Sequence, residues 1–229
     1  MNEEISCLHC GDPVDEVIDN YPLCGPCERF EPPLPHIITV EGTIGVGKTT
    51  LAEELASLLG FRFIGEPVDA NPYLERYYAD PKRWAFTMQC YLMLKRFEAL
   101  NKAMKSDVGV VLDRGLWGDR VFAWVNAKRG YMTGAELDLY HELFDLHGKQ
   151  RQLDGAFEGR ELVIYLYAPL GVTLRRMGIR GRDAEQEADI EYLSCLRERY
   201  EIEAINRSWK SVNWEHFRDA ASVWAELNQ

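Results

Sequence analysis

Gly42-Thr43-Ile44-Gly45-Val46-Gly47-Lys48-Thr49 is the stretch that decides the fold of this chain. It satisfies G-x-x-x-x-G-K-[ST] at every fixed position, and its flanks fit as well. Ile37, Ile38 and Val40 precede it as a buried strand would; Leu51 to Leu59 follow as a helix with Gly60 as its stop. A glycine-rich turn between strand and helix points successive backbone N–H groups at one anion, at the positive end of the helix. The expectation is a nucleotide-phosphate site running from Gly42 to Thr50. Lys48 would reach the outer phosphates and Thr49 would ligate Mg²⁺.

Strand-like and helical stretches alternate outward from this loop. The pattern predicts strands at 61–64, 108–113 and 162–167, with a last one near 211–214. It predicts helices at 81–105, 117–129, 134–151, 170–178, 189–209 and 218–227, the first opened by Pro81. Such alternation implies an α/β fold, a parallel sheet covered by helices on both faces. Ligands of such sheets bind at the carboxyl ends of the strands. Glu66, Asp113 and the phosphate loop all fall at those ends.

Three further groups carry chemistry. Asp113-Arg114 ends a strand, where a carboxylate suits Mg²⁺ and an arginine suits phosphate or the attacking group. Glu66-Pro67-Val68 ends another, and a carboxylate facing the γ-phosphate can accept a proton from an attacking hydroxyl. Phosphoryl transfer has a loose transition state, so position and charge matter more there than base strength. Arg176, Arg180 and Arg182 fall within seven residues, and Arg176 and Arg180 share a helical face. Their forked guanidiniums suit a lid over a triphosphate, with Gly178 and Gly181 lending flexibility.

The 229 residues are enough for one full α/β domain and a small appendage. A net charge of −11 argues against broad nucleic-acid or anionic-membrane binding. No apolar stretch is long enough to span a membrane, and the acidic start Met1-Asn2-Glu3-Glu4 lacks the apolar core of a signal peptide. A cytoplasmic protein is expected. Cys7, Cys10, Cys24 and Cys27 form C-x₂-C-x₁₃-C-x₂-C, close to zinc-ribbon spacing. Four thiolates make a closed, structural Zn²⁺ site, and zinc would supply the folding energy of so short a knuckle. A disulfide pairing is the alternative, disfavoured in a reducing compartment. Arg29 is the only Lys or Arg in residues 1–35, so an interaction or structural role is favoured over nucleic-acid binding. Pro32, Pro33 and Pro35 form a stiff linker, which divides the chain into residues 1–35 and 36–229.

Together, the phosphate loop, Glu66-Pro67-Val68, Asp113-Arg114 and the arginine cluster resemble the deoxyribonucleoside kinases, and occur in that family's order. Asn71-Pro72-Tyr73-Leu74-Glu75-Arg76-Tyr77-Tyr78 through Gln89 resembles its substrate-binding segment as bacterial purine-type members have it. The resemblance covers about residues 36–217. It implies a P-loop kinase-type five-stranded sheet, an ATP donor and a homodimer. It implies that Glu66 is the general base on a sugar 5′-hydroxyl and that Arg114 holds the same region. Tyr78 and Glu185 would bind the 3′-hydroxyl. Gln89 would pair with the base edge, supported by Arg96 and Asp119, and Arg176, Arg180 and Arg182 would close over the donor phosphates. Trp84, Phe86 and Phe122 are candidate pocket walls. The Arg96 and Asp119 pair resembles members that take purine deoxynucleosides or deoxycytidine, whereas bulky Leu92 would narrow the base pocket. Gly115 departs from the pattern, standing where the family has a small hydroxyl residue, so that hydroxyl's hydrogen bond is expected to be missing. Val212 to Phe217 matches the donor-base loop loosely, and the zinc segment is not a usual family feature.

Two other readings compete. A thymidylate-type nucleoside monophosphate kinase would need extra cations for a substrate phosphate, whereas Glu66 and Glu185 suit a neutral acceptor. A non-catalytic, zinc-containing nucleotide-binding regulator would not need base, lid and metal residues together.

Overall fold

The computed structural model describes residues 36–66, 71–150, 161–180, 190–216 and 218–228, and two short strands at 17–18 and 21–22; at 17–18, 21–22, 149–150 and 180 only the backbone is described. The chain divides into two compact units, Met1–Leu34 and Pro35–Gln229. In the first, β1 (Val17–Ile18) pairs antiparallel with β2 (Tyr21–Pro22). Cys7, Cys10, Cys24 and Cys27 lie outside the described residues, as do Pro67, Val68, Arg182, Glu185, Phe217 and the side chain of Arg180.

In the second unit the order is β3 (Ile37–Gly42), α1 (Lys48–Leu59), β4 (Arg62–Ile64), α2 (Leu74–Ala79), α3 (Pro81–Met104), β5 (Val110–Asp113), α4 (Leu116–Lys128) and α5 (Gly134–Gln150). Then come β6 (Glu161–Tyr167), α6 (Leu170–Arg180), α7 (Ile190–Asn206), β7 (Lys210–Asn213) and α8 (Ala220–Leu227). The five strands lie in the order β4-β5-β3-β6-β7, and every pairing is parallel. The sheet and its helices are those expected, with boundaries moved by one to three residues. The chain leaves β3 toward one edge and later returns to its other side at β6. That reversal opens a crevice at the carboxyl end of β3, where the phosphate loop begins.

Local signals set the helix ends. Gly60 closes α1 in the left-handed region at φ 66, its N–H donating to Ala56 O. Pro81 opens α3, and Asp80 caps it by accepting from the Arg83 N–H at 3.2 Å. Thr133 and Glu136 form a reciprocal capping box at the start of α5. The short helix α2 was not read from the sequence. Asn71 starts the turn into it, its Oδ1 accepting from the Tyr73 N–H at 2.9 Å.

Alternation along β3 divides the core. Ile38 and Val40 face α1 and α8, packing with Leu51, Leu55, Trp214 and Val223. Ile37 faces the opposite way, in a cluster with Phe97 of α3, Leu116 of α4 and Tyr140 of α5. The same alternation puts Thr39 and Glu41 on the Ile37 face, so the end of this face nearest the phosphate loop is polar. No helix among the described residues is long and apolar enough to cross a membrane.

Candidate active site

The phosphate loop has the backbone its glycines allow: φ is 74° at Gly45 and 109° at Gly47. Lys48 is buried, and its Nζ donates to the Thr43 carbonyl at 2.9 Å. Burial, and then the Arg114 charge, lower its pKa to about 8 against the pull of Asp113, Glu66 and Glu41. Thr49 Oγ1 donates to Asp113 Oδ2 at 2.5 Å. Asp113 Oδ1 is buried and has no hydrogen-bond partner among the described residues. A hydroxyl beside a carboxylate with a spare oxygen is a donor set for a hard divalent cation. Arg176 ties α6 to this loop, donating from Nη1 to Val46 O at 2.7 Å and from Nη2 to Glu215 O at 3.1 Å.

Glu66 follows β4 and faces two guanidiniums. Its Oε1 accepts from Arg96 Nη2 at 2.6 Å and lies 3.0 Å from Arg114 Nε, an ion pair whose angle falls short of a hydrogen bond. Burial acts to raise the Glu66 pKa. The charges of Arg114, Arg96 and Lys48 outweigh it and hold the group at about 2. Glu66 is therefore ionised at neutral pH, fixed in place rather than poised as a strong base.

Arg96 carries this frame into α4. Its Nη1 pairs with Asp119 Oδ1, and Tyr140 Oη donates to Asp119 Oδ2 at 2.5 Å. Gln89, fully buried on α3, donates from Nε2 to the Asp119 carbonyl at 3.2 Å and to Asp119 Oδ1 at 3.4 Å. Its Oε1 is buried with no partner among the described residues. That amide has one end committed and one acceptor left over, able to take a hydrogen bond from a donor group.

A parallel five-stranded sheet, a complete phosphate loop at its carboxyl edge and a Glu–Arg–Asp–Gln chain beside it narrow the family. The family model described as deoxynucleoside kinase matches residues 38–224. The chain belongs to the deoxynucleoside kinase family. It is 37% identical over 166 residues to a deoxyadenosine/deoxycytidine kinase of Bacillus subtilis, covering 72% of this chain and 75% of that one. It is 36% identical over 165 residues to a deoxyguanosine kinase of Lactobacillus acidophilus, covering 72% and 70%. The solved deoxyadenosine kinase from M. mycoides, with products dCMP and a flexible dCDP bound, superposes with a TM-score of 0.72 at 27% identity, over 84% of this chain and 98% of that one.

Within this kinase the sequence brings Lys48, Thr49, Asp113, Arg114, Glu66, Arg96, Asp119 and Gln89 into one connected site. Tyr78 is exposed, its ring in a T-shaped contact with that of Tyr77, centroids 5.4 Å apart. Of the three aromatic candidates, Phe122 touches the site, lying under the Arg114 guanidinium at 4.5 Å. Trp84 is flanked instead by Arg76 and Arg83, at 5.0 and 4.7 Å, and Phe86 packs on the core. Arg96 and Arg114 also border a cavity of about 880 Å³, with Trp117, Glu161 and Trp209. Lys48, Glu66 and Gln89 are not among the residues that line it.

The sequence reading missed Glu41. This acid is fully buried at the end of β3, where its Oε1 accepts the N–H groups of Gly115 at 2.9 Å and Gly118 at 3.0 Å. Gly115 has no hydroxyl, so the bond expected to be missing there is missing; its backbone N–H is held instead by Glu41 of the neighbouring strand. The signal was present: a carboxylate interrupts an apolar strand one residue before the phosphate loop.

Proposed function

We propose that this kinase transfers the γ-phosphoryl group of ATP to the 5′-hydroxyl of a deoxyribonucleoside, preferring purine deoxynucleosides and accepting deoxycytidine, in cytoplasmic nucleotide salvage. The observation that carries this is the Arg96 guanidinium, which bridges Glu66 and Asp119 and so joins the acid at the reacting end to the Gln89 amide at the base end. An acceptor whose base satisfies Gln89 Oε1 brings its sugar hydroxyl to Glu66. Glu66 accepts the proton of that hydroxyl, and Arg114 holds the same oxygen as negative charge develops. Relatives named for deoxyadenosine, deoxycytidine and deoxyguanosine support the base preference, as does the buried Arg96–Asp119 pair.

The Thr49 hydroxyl and the spare oxygen of Asp113 fit Mg²⁺ and would hold it; the ion supplies charge neutralisation on the donor phosphates. Lys48 and the backbone N–H groups of Gly45 to Thr50 bind those phosphates, with Arg176, Arg180 and Arg182 as a lid. Tyr78 and Glu185 bind the 3′-hydroxyl, and the enzyme works as a homodimer. We place a domain boundary near residue 35, which the two compact units support. The first segment carries one structural Zn²⁺ on Cys7, Cys10, Cys24 and Cys27; the donor set of four thiolates in two C-x₂-C pairs supports that reading.

ATP consumption with Mg²⁺, measured over the four deoxynucleosides and their monophosphates, tests the reading. Turnover with deoxyadenosine or deoxyguanosine and none with monophosphates is expected. Turnover only with a monophosphate, or with no acceptor at all, refutes it.

A further inference from the structure

Arg114 is held in an unusual way. Its backbone lies in the left-handed region at φ 69, a conformation that costs a non-glycine residue about 1 kcal/mol or more. Two hydrogen bonds to β3 hold it there: the Arg114 N–H donates to Val40 O at 3.0 Å, and the next N–H, of Gly115, donates to Glu41. Gly115 is the N-cap of α4 and has no side chain to cap with. Gly118 is the third residue of that helix. Glu41 thus receives, from a neighbouring strand, two N–H groups that a helix start otherwise leaves unpaired.

The other oxygen of Glu41 reaches further. Oε2 accepts from Tyr200 Oη at 3.1 Å, and Tyr200 Oη in turn accepts from Arg114 Nη1 at 2.5 Å. Three donors converge on the two Glu41 oxygens; burial raises the pKa of this acid, opposed by the Arg114 charge and by the Gly115 and Gly118 N–H groups. With its O–H donated in a hydrogen bond to Glu41, the Tyr200 hydroxyl presents a lone pair to the guanidinium. Arg114 is then fixed by Tyr200 at Nη1, by Glu66 near Nε and by the Phe122 ring against its face.

We propose that Glu41 and Tyr200 are positioning residues for phosphoryl transfer: Glu41 orients the Tyr200 hydroxyl and the start of α4, and together they hold Arg114 against Glu66. The proposal rests on the reading of Arg114 as the residue at the acceptor 5′-hydroxyl. Among the described residues neither side chain hydrogen-bonds to the phosphate loop or to the Gln89 amide; the Glu41 charge also acts on Lys48, so Tyr200 is the cleaner probe of the reacting end.

Tyr200→Phe removes one oxygen and keeps the ring stacked on Tyr165 at 5.8 Å. In the full-length enzyme, kcat is expected to fall on the order of 10- to 100-fold, the range a small misplacement of a transition-state group produces. The KM for deoxynucleoside and the Kd for ATP should stay within about twofold. In an Arg114→Gln background, Tyr200→Phe should change kcat less than about twofold, since the group it positions is gone. Glu41→Gln should lower kcat in the same direction; if that variant does not fold, Tyr200→Phe decides alone. An unchanged kcat in Arg114→Gln overturns the reading of Arg114 itself. An impaired Arg114→Gln alongside an unimpaired Tyr200→Phe, or a Tyr200→Phe effect equal in both backgrounds, overturns the positioning role and leaves that reading standing.

Discussion

Gly118→Ala is expected to destabilise this kinase, although in an ordinary helix interior the same change stabilises by about 1 kcal/mol. A Cβ built at Gly118 falls 2.6 Å from Tyr200 Oη and 2.7 Å from Glu41 Cδ, and closer still to Glu41 Oε2. Ordinary contact begins near 3.4 Å, so the Glu41 carboxylate must retreat by about 0.7 Å or more. A side-chain end is normally cheap to move, but this one is fully buried and holds Gly115, Gly118 and Tyr200 at 2.9, 3.0 and 3.1 Å. Retreat breaks at least two hydrogen bonds to a buried charge, each about 1.5–3 kcal/mol. Set against the propensity gain, the net loss is about 2–5 kcal/mol, a large share of the 5–15 kcal/mol typical of a domain. Urea unfolding followed by far-ultraviolet circular dichroism should show a midpoint lowered by about 1–2 M. Gly178→Ala in α6 is the control: nothing lies within 4 Å of its Cβ, and it should be neutral or more stable by up to about 1 kcal/mol. A Gly118→Ala protein as stable as wild type refutes the tight packing of Glu41 against α4.

Glu66→Gln should lower kcat by on the order of 100-fold while leaving the Kd for ATP within about twofold; equal turnover in both proteins removes Glu66 from the base role. Glu161 gives a pH dependence. Burial pushes its pKa up to about 7, opposed by the Thr39 hydroxyl at 2.6 Å and reinforced by Glu41. An unfolded glutamate titrates near pH ~4.3, so folding takes up a proton between there and pH 7. The stability this group contributes is whole below pH ~4.3 and is lost as pH rises through 7. Glu161→Gln keeps the acceptor oxygen and does not ionise, so it should gain about 3–4 kcal/mol at pH ~8 and little at pH ~4.5. Urea midpoints at the two pH values check this, and the same pH slope in both proteins counts against it. Metal analysis of the purified chain should find about one zinc per chain, released when the thiols are modified; a metal-free protein with four reactive thiols in Cys7, Cys10, Cys24 and Cys27 ends the zinc reading.

Much of the site was legible because it is local. The phosphate loop, the Gly60 stop and the Pro81 start each depend on the backbone of a few consecutive residues, so residue type and spacing suffice. The parallel sheet followed from apolar runs alternating with helical stretches, and Glu66 and Asp113 were placed at strand ends by the same logic. Pairing Arg96 with Asp119 relied on resemblance, since 23 residues separate them. The short helix α2 escaped because six residues carry too little periodicity to show beside the long α3.

The sequence by itself therefore determined the fold class, the nucleotide loop and the family. Tertiary structure alone decided which acids and arginines share charge. Glu41 lies 74 residues from Gly115 and 159 from Tyr200, and no local rule relates them. The Arg96 link between Glu66 and Asp119, the capping of α4 from β3 and the raised pKa of Glu161 all depend on which side chains are brought together out of water. Burial sets the strength of those interactions, and burial is a property of the packed sheet and helices rather than of any segment of the chain.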